Sequence, residues 1–276
     1  MIKRLTLLLT LMALLFLLPA CNRGEGGAAG YGAGGGQSLR EGSTAPYHSP
    51  IAQDQTYQTL LGLNILLYPA PVDDAKFEPF GTPHWELDPS EFVEVMLGAF
   101  DGTMGEQAVY EPVVTALQDH PFVSEIQDAI YGGEPVQVGW IYGNNDSLDL
   151  LEYNGTTVTL VTARNVILFI GGKDKIDTET WTYGTGDTMA AYVPENTVVE
   201  VYPDTLRSMP VRVLDETGQL TAVIVPEGLG LEAVSSGDGM DQALVANDRW
   251  IFALPEVEGG YYAGLTGDSI TIEPAD

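Results

Sequence analysis

The sequence predicts an α+β fold in which a small helical region precedes an antiparallel β-barrel or sandwich. Between about residues 88 and 134, apolar residues recur at helical spacing behind Pro and acidic start signals. After Pro135 they come instead in short β-branched and aromatic runs separated by Gly, Asn, Asp and Pro. Composition is the third observation. The 276 residues are 45% hydrophobic and only 18% charged, which is enough apolar material for a sizeable core.

The chain opens with a basic start at Lys3 and Arg4 and an apolar run from Leu5 to Leu18 that ends in small residues. This is the pattern of a secretory signal over residues 1–20, and the run is shorter than the roughly twenty residues a membrane-spanning helix needs. Leu18-Pro19-Ala20-Cys21 resembles the lipobox of bacterial lipoproteins, whose cysteine is lipidated after cleavage. Cys21 is the only cysteine of the chain and is expected to carry the lipid; the alternative is an ordinary cleaved signal with a coincidental cysteine. Residues 21–50 are rich in Gly, Ala and Ser without hydrophobic periodicity, as in a flexible tether. The expected location is therefore extracytoplasmic, on a bacterial membrane, with membrane lipid as a partner through Cys21.

Residues 51–134 read as mainly helical. The apolar run Thr59 to Tyr68 fits strand or helix equally. Asp88-Pro89-Ser90-Glu91 supplies a capping Asp, a Pro at the first helical position and an acid in the first turn, ahead of Phe92, Val93, Met96 and Leu97. Pro112 opens a second short helix with Val113, Val114 and Leu117. Pro121 opens a third, with Phe122, Val123, Ile126 and Ile130 on one side and Gly132-Gly133 as its stop.

Residues 135–276 give ten candidate strands: Val136–Tyr142, Ser147–Tyr153, Thr157–Thr162, Val166–Ile170, Met189–Val193, Thr197–Val201, Val211–Leu214, Leu220–Val225, Trp250–Ala253 and Ser269–Glu273. Asn154-Gly155 reads as a two-residue hairpin turn between the second and third. With no long internal repeat, helices packed on one all-β unit make a single domain.

Charge and composition exclude several chemistries. Eleven Lys and Arg against 39 Asp and Glu give a net charge of −28, which repels phosphate backbones and argues against a nucleic-acid partner. Cleavage after residue 20 would remove two basic residues and no acids, leaving −30. One cysteine allows no intramolecular disulfide. The three histidines are His48, beside the tether, and His84 and His120, both next to helix starts where a surface or capping role fits best. Neither a G-x-S-x-G elbow nor a phosphate-binding G-x-x-x-x-G-K-[ST] loop occurs. Asn144-Asn145-Asp146 with Asp149, and Asp238 with Asp241, offer oxygen ligands on loops, but in so acidic a chain a solvated surface is the simpler reading. Trp140 and Trp250 sit in strand patterns and read as core residues rather than as sugar-stacking platforms.

Several phrases resemble an uncharacterised bacterial family with a cupin-like β-barrel related to ureidoglycolate lyase. They are Tyr131-Gly132-Gly133-Glu134-Pro135-Val136, Leu151-Glu152-Tyr153, Val166-Ile167-Leu168-Phe169-Ile170-Gly171, Tyr192-Val193-Pro194-Glu195-Asn196 and Thr205-Leu206, with Asn247-Asp248-Arg249-Trp250-Ile251 as a later piece. The resemblance implies a cupin-like barrel whose pocket holds a metal through histidines. In this chain the three histidine positions of that pattern are Asn144, Asn154 and Arg207, and no histidine follows His120. Asn is a poor ligand for a transition metal and Arg cannot coordinate one, so no metal or other cofactor is expected.

Asn144, Glu152, Asn154 and Arg207 are therefore the candidate ligand-binding residues, with Glu152 the weak candidate for a catalytic role. Arg207 either faces the pocket and prefers an anion, or points outward on a turn after Pro203 and pairs with a surface acid. The favoured expectation is a lipid-anchored binding or interaction module for a small anionic ligand or a protein partner. The alternative is a metal-independent lyase or isomerase acting on a small sugar, hydroxy or ureido acid, with Glu152 as base and Arg207 as anion clamp.

Overall fold

Helices begin where a polar side chain can satisfy free backbone N–H groups, and strands persist where both faces find cover. The computed structural model of the protein describes residues 51–275 apart from 233, 235 and 236. The expected signal peptide, Cys21 and the tether to residue 50 lie outside the described residues.

The N-terminal part holds α1 (Gln55–Leu63), β1 (Ala70–Pro71), β2 (Gly81–Pro83), α2 (Ser90–Ala99), β3 (Val109–Glu111), α3 (Thr115–Gln118) and α4 (Pro121–Ile130). There follow β4 (Val136–Gly143), β5 (Ser147–Leu148), β6 (Leu150–Tyr153), β7 (Val158–Thr162), β8 (Val166–Gly172), β9 (Tyr183–Gly184) and β10 (Met189–Val193). The remaining strands are β11 (Thr197–Val201), β12 (Thr205–Ser208), β13 (Val211–Arg212), β14 (Gln219–Pro226), β15 (Leu244–Ala246), β16 (Arg249–Ala253), β17 (Leu265–Thr266) and β18 (Ile270–Thr271).

Two sheets make the body. The first runs β1-β10-β8-β12-β6-β16-β15, with β13 also on β8; the second runs β2-β11-β7-β14-β4-β3. Every pair in them is antiparallel except β1 with β10. The architecture is a β-sandwich with few helices, and the region expected to be mainly helical contributes β1, β2 and β3 to its sheets.

The second sheet is buried on both faces. Leu160, Val199 and Val223 join the core shared with the first sheet, while Val161, Val198, Ala222 and Ile224 join a second core under α2, α3 and α4. Double burial is why these strands read as continuous apolar runs rather than as alternating ones. The first sheet carries α1 through Tyr57, whose ring lies 5.1 Å from that of Tyr192.

Several elements differ from expectation for identifiable reasons. The ambiguous Thr59–Tyr68 run is helical only to Leu63: Asp54 sets the start of α1 by accepting from the Tyr57 N–H at 2.8 Å, and Asn64, whose backbone leaves the helical conformation, ends it. The Pro112 helix begins late, at Thr115, since the Val114 N–H is drawn to the Val138 carbonyl at 2.7 Å. The expected strand Ser147–Tyr153 divides at Asp149: β5 pairs with β18, and β6 pairs with β12 and β16.

Asn154-Gly155 is not a hairpin turn. The strands on its two sides belong to different sheets, so the segment carries the chain from one layer to the other. Its polar groups are taken up by Asp248: Asn154 Nδ2 donates to the Asp248 carbonyl at 2.7 Å, and the Gly155 N–H and Thr156 hydroxyl donate to its carboxylate.

Of the histidines, His120 caps α4 through Nδ1, which accepts from the Phe122 N–H at 3.2 Å. His84 lies between two carboxylates, 2.7 Å from Glu86 and 3.0 Å from Glu200. Trp140 is buried with its Nε1 donating to Glu111, while Trp250 is half-buried against the Tyr153 ring.

Candidate functional site

Alternation along three neighbouring strands assembles a charged cluster inside the sandwich. Glu152 on β6 stands opposite Arg207 on β12 and opposite Ile251 on β16, so these side chains share a face, and Arg249 is on it two residues before Ile251. Arg207 Nη2 donates to Glu152 Oε1 at 3.0 Å and meets Asn154 Oδ1 at 3.5 Å. Arg249 approaches the same carboxylate from the other side. Its Nη2 donates to Oε2 at 3.2 Å, and its Nε lies 3.2 Å from Oε1 in an ion contact too poorly aligned to count as a hydrogen bond.

Glu152 and Arg207 are almost fully buried, at 3% and 2% exposure. Burial alone would raise the Glu152 carboxyl pKa, but Arg207 and then Arg249 outweigh it and hold the pKa below the usual carboxylate value. For Arg249 burial works against the charge and Glu152 more than compensates, so its guanidinium holds the proton more tightly than usual. Tyr110, on β3 of the facing sheet, lies under Arg249, with the guanidinium 4.6 Å from the ring centroid. Burial, with Glu152 nearby, pushes its phenol up to about 12, against the opposing pull of Arg249 and Arg207.

Two guanidinium groups thus share one carboxylate and leave one positive charge in excess. Arg249 is where that excess meets a cavity. A space of about 500 Å³ opens between the sheets beside β3 and β6, lined among others by Arg249, Tyr110, Asn145, Met209 and Tyr261. Glu152 engages the Nε and Nη2 side of Arg249, and no hydrogen bond among the described residues uses its Nη1.

Three of the four candidate residues, Glu152, Asn154 and Arg207, therefore meet. Arg207 sits on a strand rather than on an outward turn. Asn144 does not join them: it ends β4 with its Nδ2 donating to the Met104 carbonyl at 3.1 Å. Asp146 and Asp149 are spent on Arg212 and on the hydroxyls of Ser147 and Ser269.

The donor set does not fit a metal. Arg207 Nη2 occupies the space between Glu152 and Asn154, and among the described residues no three His, Cys, Asp or Glu side chains are grouped to hold an ion. Sequence reasoning missed Arg249 and Tyr110 as site residues, and named Asn145 only as a loop oxygen ligand before reading that loop as solvated surface. Scarcity was the available signal for Arg249, since only seven Lys or Arg follow residue 50.

A family model, the domain of unknown function DUF4867, matches residues 70–270, from β1 to β18. The chain belongs to the DUF4867 family. The DUF4867 match contains the whole charged cluster and the cavity beside it. No curated protein matches the chain.

Among solved structures, this DUF4867 chain is similar to the non-heme alpha ketoglutarate dependent epimerase SnoN from nogalamycin biosynthesis, at 16% identity and TM-score 0.34, over 50% of this chain and 74% of that one. It is also similar to vicilin from Corylus avellana (hazelnut), at 9% identity and TM-score 0.28, over 56% of this chain and 33% of that one. The figures for procruciferin, an 11S globulin from Brassica napus, are 7%, 0.27, 57% and 30%.

Proposed function

We propose that this chain is a binding protein whose pocket takes a small carboxylate ligand on Arg249. One observation carries this reading. The Arg207–Glu152–Arg249 cluster has one positive charge more than it neutralises, and Arg249 lines the cavity with its Nη1 in no hydrogen bond among the described residues. A planar guanidinium with an open edge is suited to a carboxylate, which it can hold through two parallel N–H donors.

The cluster also suggests how a cupin-like pocket could work without its metal. Arg207 supplies in place the positive charge that Glu152 requires, so the carboxylate stays ionised and the pocket keeps its shape. Glu152 as a general base, which the lyase or isomerase alternative needs, fits poorly: both its oxygens are engaged by guanidinium groups and its pKa is lowered, not raised. Relation to ureidoglycolate lyase would accordingly be one of ancestry, with binding in place of turnover.

The signal pattern and the lipobox-like Leu18-Pro19-Ala20-Cys21 support an extracytoplasmic location with the domain tethered through Cys21. Among the described residues no helix is long and apolar enough to cross a membrane; the anchor proposed is the lipid on Cys21. Intact-mass analysis of the membrane-extracted protein should give a diacylated or triacylated chain starting at Cys21, and Cys21→Ser should release the protein into the soluble fraction. An unmodified, soluble wild-type protein would overturn the anchor.

The binding reading is tested by calorimetric titration with a panel of small mono- and dicarboxylic acids. Arg249→Gln should abolish binding while leaving the circular dichroism spectrum unchanged, because Arg207 still neutralises Glu152. Equal binding by the variant would exclude Arg249 as the ligand's partner.

A further inference from the structure

The cavity carries both signs of charge. It is lined by Arg249, whose Nη2 is held by Glu152 and whose Nη1 is in no hydrogen bond among the described residues. Its walls also include four carboxylates: Glu106, Asp149, Glu256 and Glu258. Glu106, Glu256 and Glu258 are exposed, and none of the three makes an ion pair or a side-chain hydrogen bond among the described residues. A plain anion would pass this acidic wall to reach Arg249, in a protein that already carries a charge of −28.

A second, uncharged feature points the same way. Asn145 lines the cavity and is nine-tenths buried. Its Nδ2 donates to the Pro210 carbonyl at 2.9 Å, which fixes the orientation of the amide because a carbonyl only accepts. Its Oδ1 is then a buried acceptor without a partner. A buried acceptor left empty is costly, and a ligand donor would satisfy it. The carboxylate that suits Arg249 has no proton to offer; an ammonium has three. Tyr261, also on the cavity wall, adds an aromatic surface of the kind on which a cation rests well.

We infer that the ligand is a zwitterion, an amino carboxylate such as a free amino acid or a short peptide, with its carboxylate on Arg249 and its protonated amine toward Asn145 Oδ1 and the acidic wall. This rests on the carboxylate reading given above and adds the second half of the ligand. The two charges explain why one pocket carries both signs: each end repels the wrong end of the ligand, which fixes its direction as well as its class. Leu150, Met209 and Val257 supply the apolar remainder of the lining, against which an aliphatic or aromatic side chain would pack.

The experiment screens the twenty common α-amino acids and the glycyl dipeptides against the full-length protein by thermal shift and calorimetry. Each responder is then compared with its deaminated acid and with its methyl ester. The zwitterion should bind at least tenfold more tightly than either analogue, and Glu256→Gln/Glu258→Gln should shrink its advantage over the deaminated acid while leaving the affinity for that acid unchanged or improved. A deaminated acid that binds as well as its amino acid overturns the zwitterion and leaves the carboxylate site standing. A methyl ester that binds as well as the amino acid overturns the carboxylate on Arg249, and the absence of any binder among amino acids and carboxylic acids alike overturns both.

Discussion

Glu152 is held by partners on both sides, and the cost of removing it differs from the cost of removing either partner. Glu152→Gln leaves two guanidinium groups in the interior without a counter-charge, a change worth about 3–5 kcal/mol of stability in buried ion pairs. Arg207→Met leaves Glu152 still paired with Arg249 and should cost less. Urea denaturation of the two variants would check the order; a milder effect for Glu152→Gln would contradict the shared-carboxylate geometry. The lowered pKa of Glu152 also sets a pH window. Its stabilising contribution is complete above the ordinary value of 4.5 and is lost as pH falls through the lower folded value. His84 works in the opposite sense. Burial lowers its pKa, but hydrogen bonds donated to Glu86 and Glu200 prevail and raise it above 6.5, so its contribution is complete below 6.5 and fades as pH rises through the folded value. The melting temperature should therefore fall between about pH 6 and about pH 8 by more in the wild type than in His84→Gln.

Single strands show what the sequence could and could not reveal. Met189–Val193 and Thr197–Val201 have the expected bounds because their apolar runs are closed by turn residues on both sides. Thr205–Ser208 escaped notice because its four residues include Arg and two hydroxyls, yet all four are buried, and it carries Arg207 between β6 and β8. Asn-Gly misled for a related reason: the dipeptide favours a tight turn, but Asp248, 92 to 94 residues further along, claims its polar groups. Such long-range partners leave no local trace. One glycine also acts at this scale. A Cβ on Gly139 would lie 2.4 Å from the Glu111 carbonyl oxygen and 2.8 Å from that of Pro112, both backbone atoms. Gly139→Ala should lift β3 from β4 and cost about 1–3 kcal/mol, the range for overpacked sites. Faster hydrogen exchange at the Val114 N–H, which donates to Val138, would report the separation; unchanged exchange would refute it.

Across the whole molecule the layered arrangement was legible because double burial makes strands apolar on both faces, whereas the pocket was legible only in part. Glu152, Asn154 and Arg207 stood out through the family-like phrases around them but are not among the residues that line the cavity; the place of Arg249, which does line it, depends on which strands become neighbours, and no short stretch encodes that. Net charge belongs to this scale too. With −28 in all, self-repulsion opposes the folded state, so the melting temperature should rise as salt is raised from low to physiological strength, where the screening length is about 8 Å. A fall would show that particular ion pairs outweigh the overall field. Finally, Asn64, at the end of α1, joins the segment after β18 through both edges of its amide: Nδ2 donates to the Glu273 carbonyl and Oδ1 accepts from the Glu273 N–H, each at 2.9 Å across 209 residues of chain. β1 likewise waits for β10, and β6 for β16. Closure of so many distant contacts makes assembly slow and keeps it incomplete until Glu273 has been synthesised. Were the chain exported by threading, as the proposed signal requires, that delay would keep the polypeptide unfolded long enough to cross.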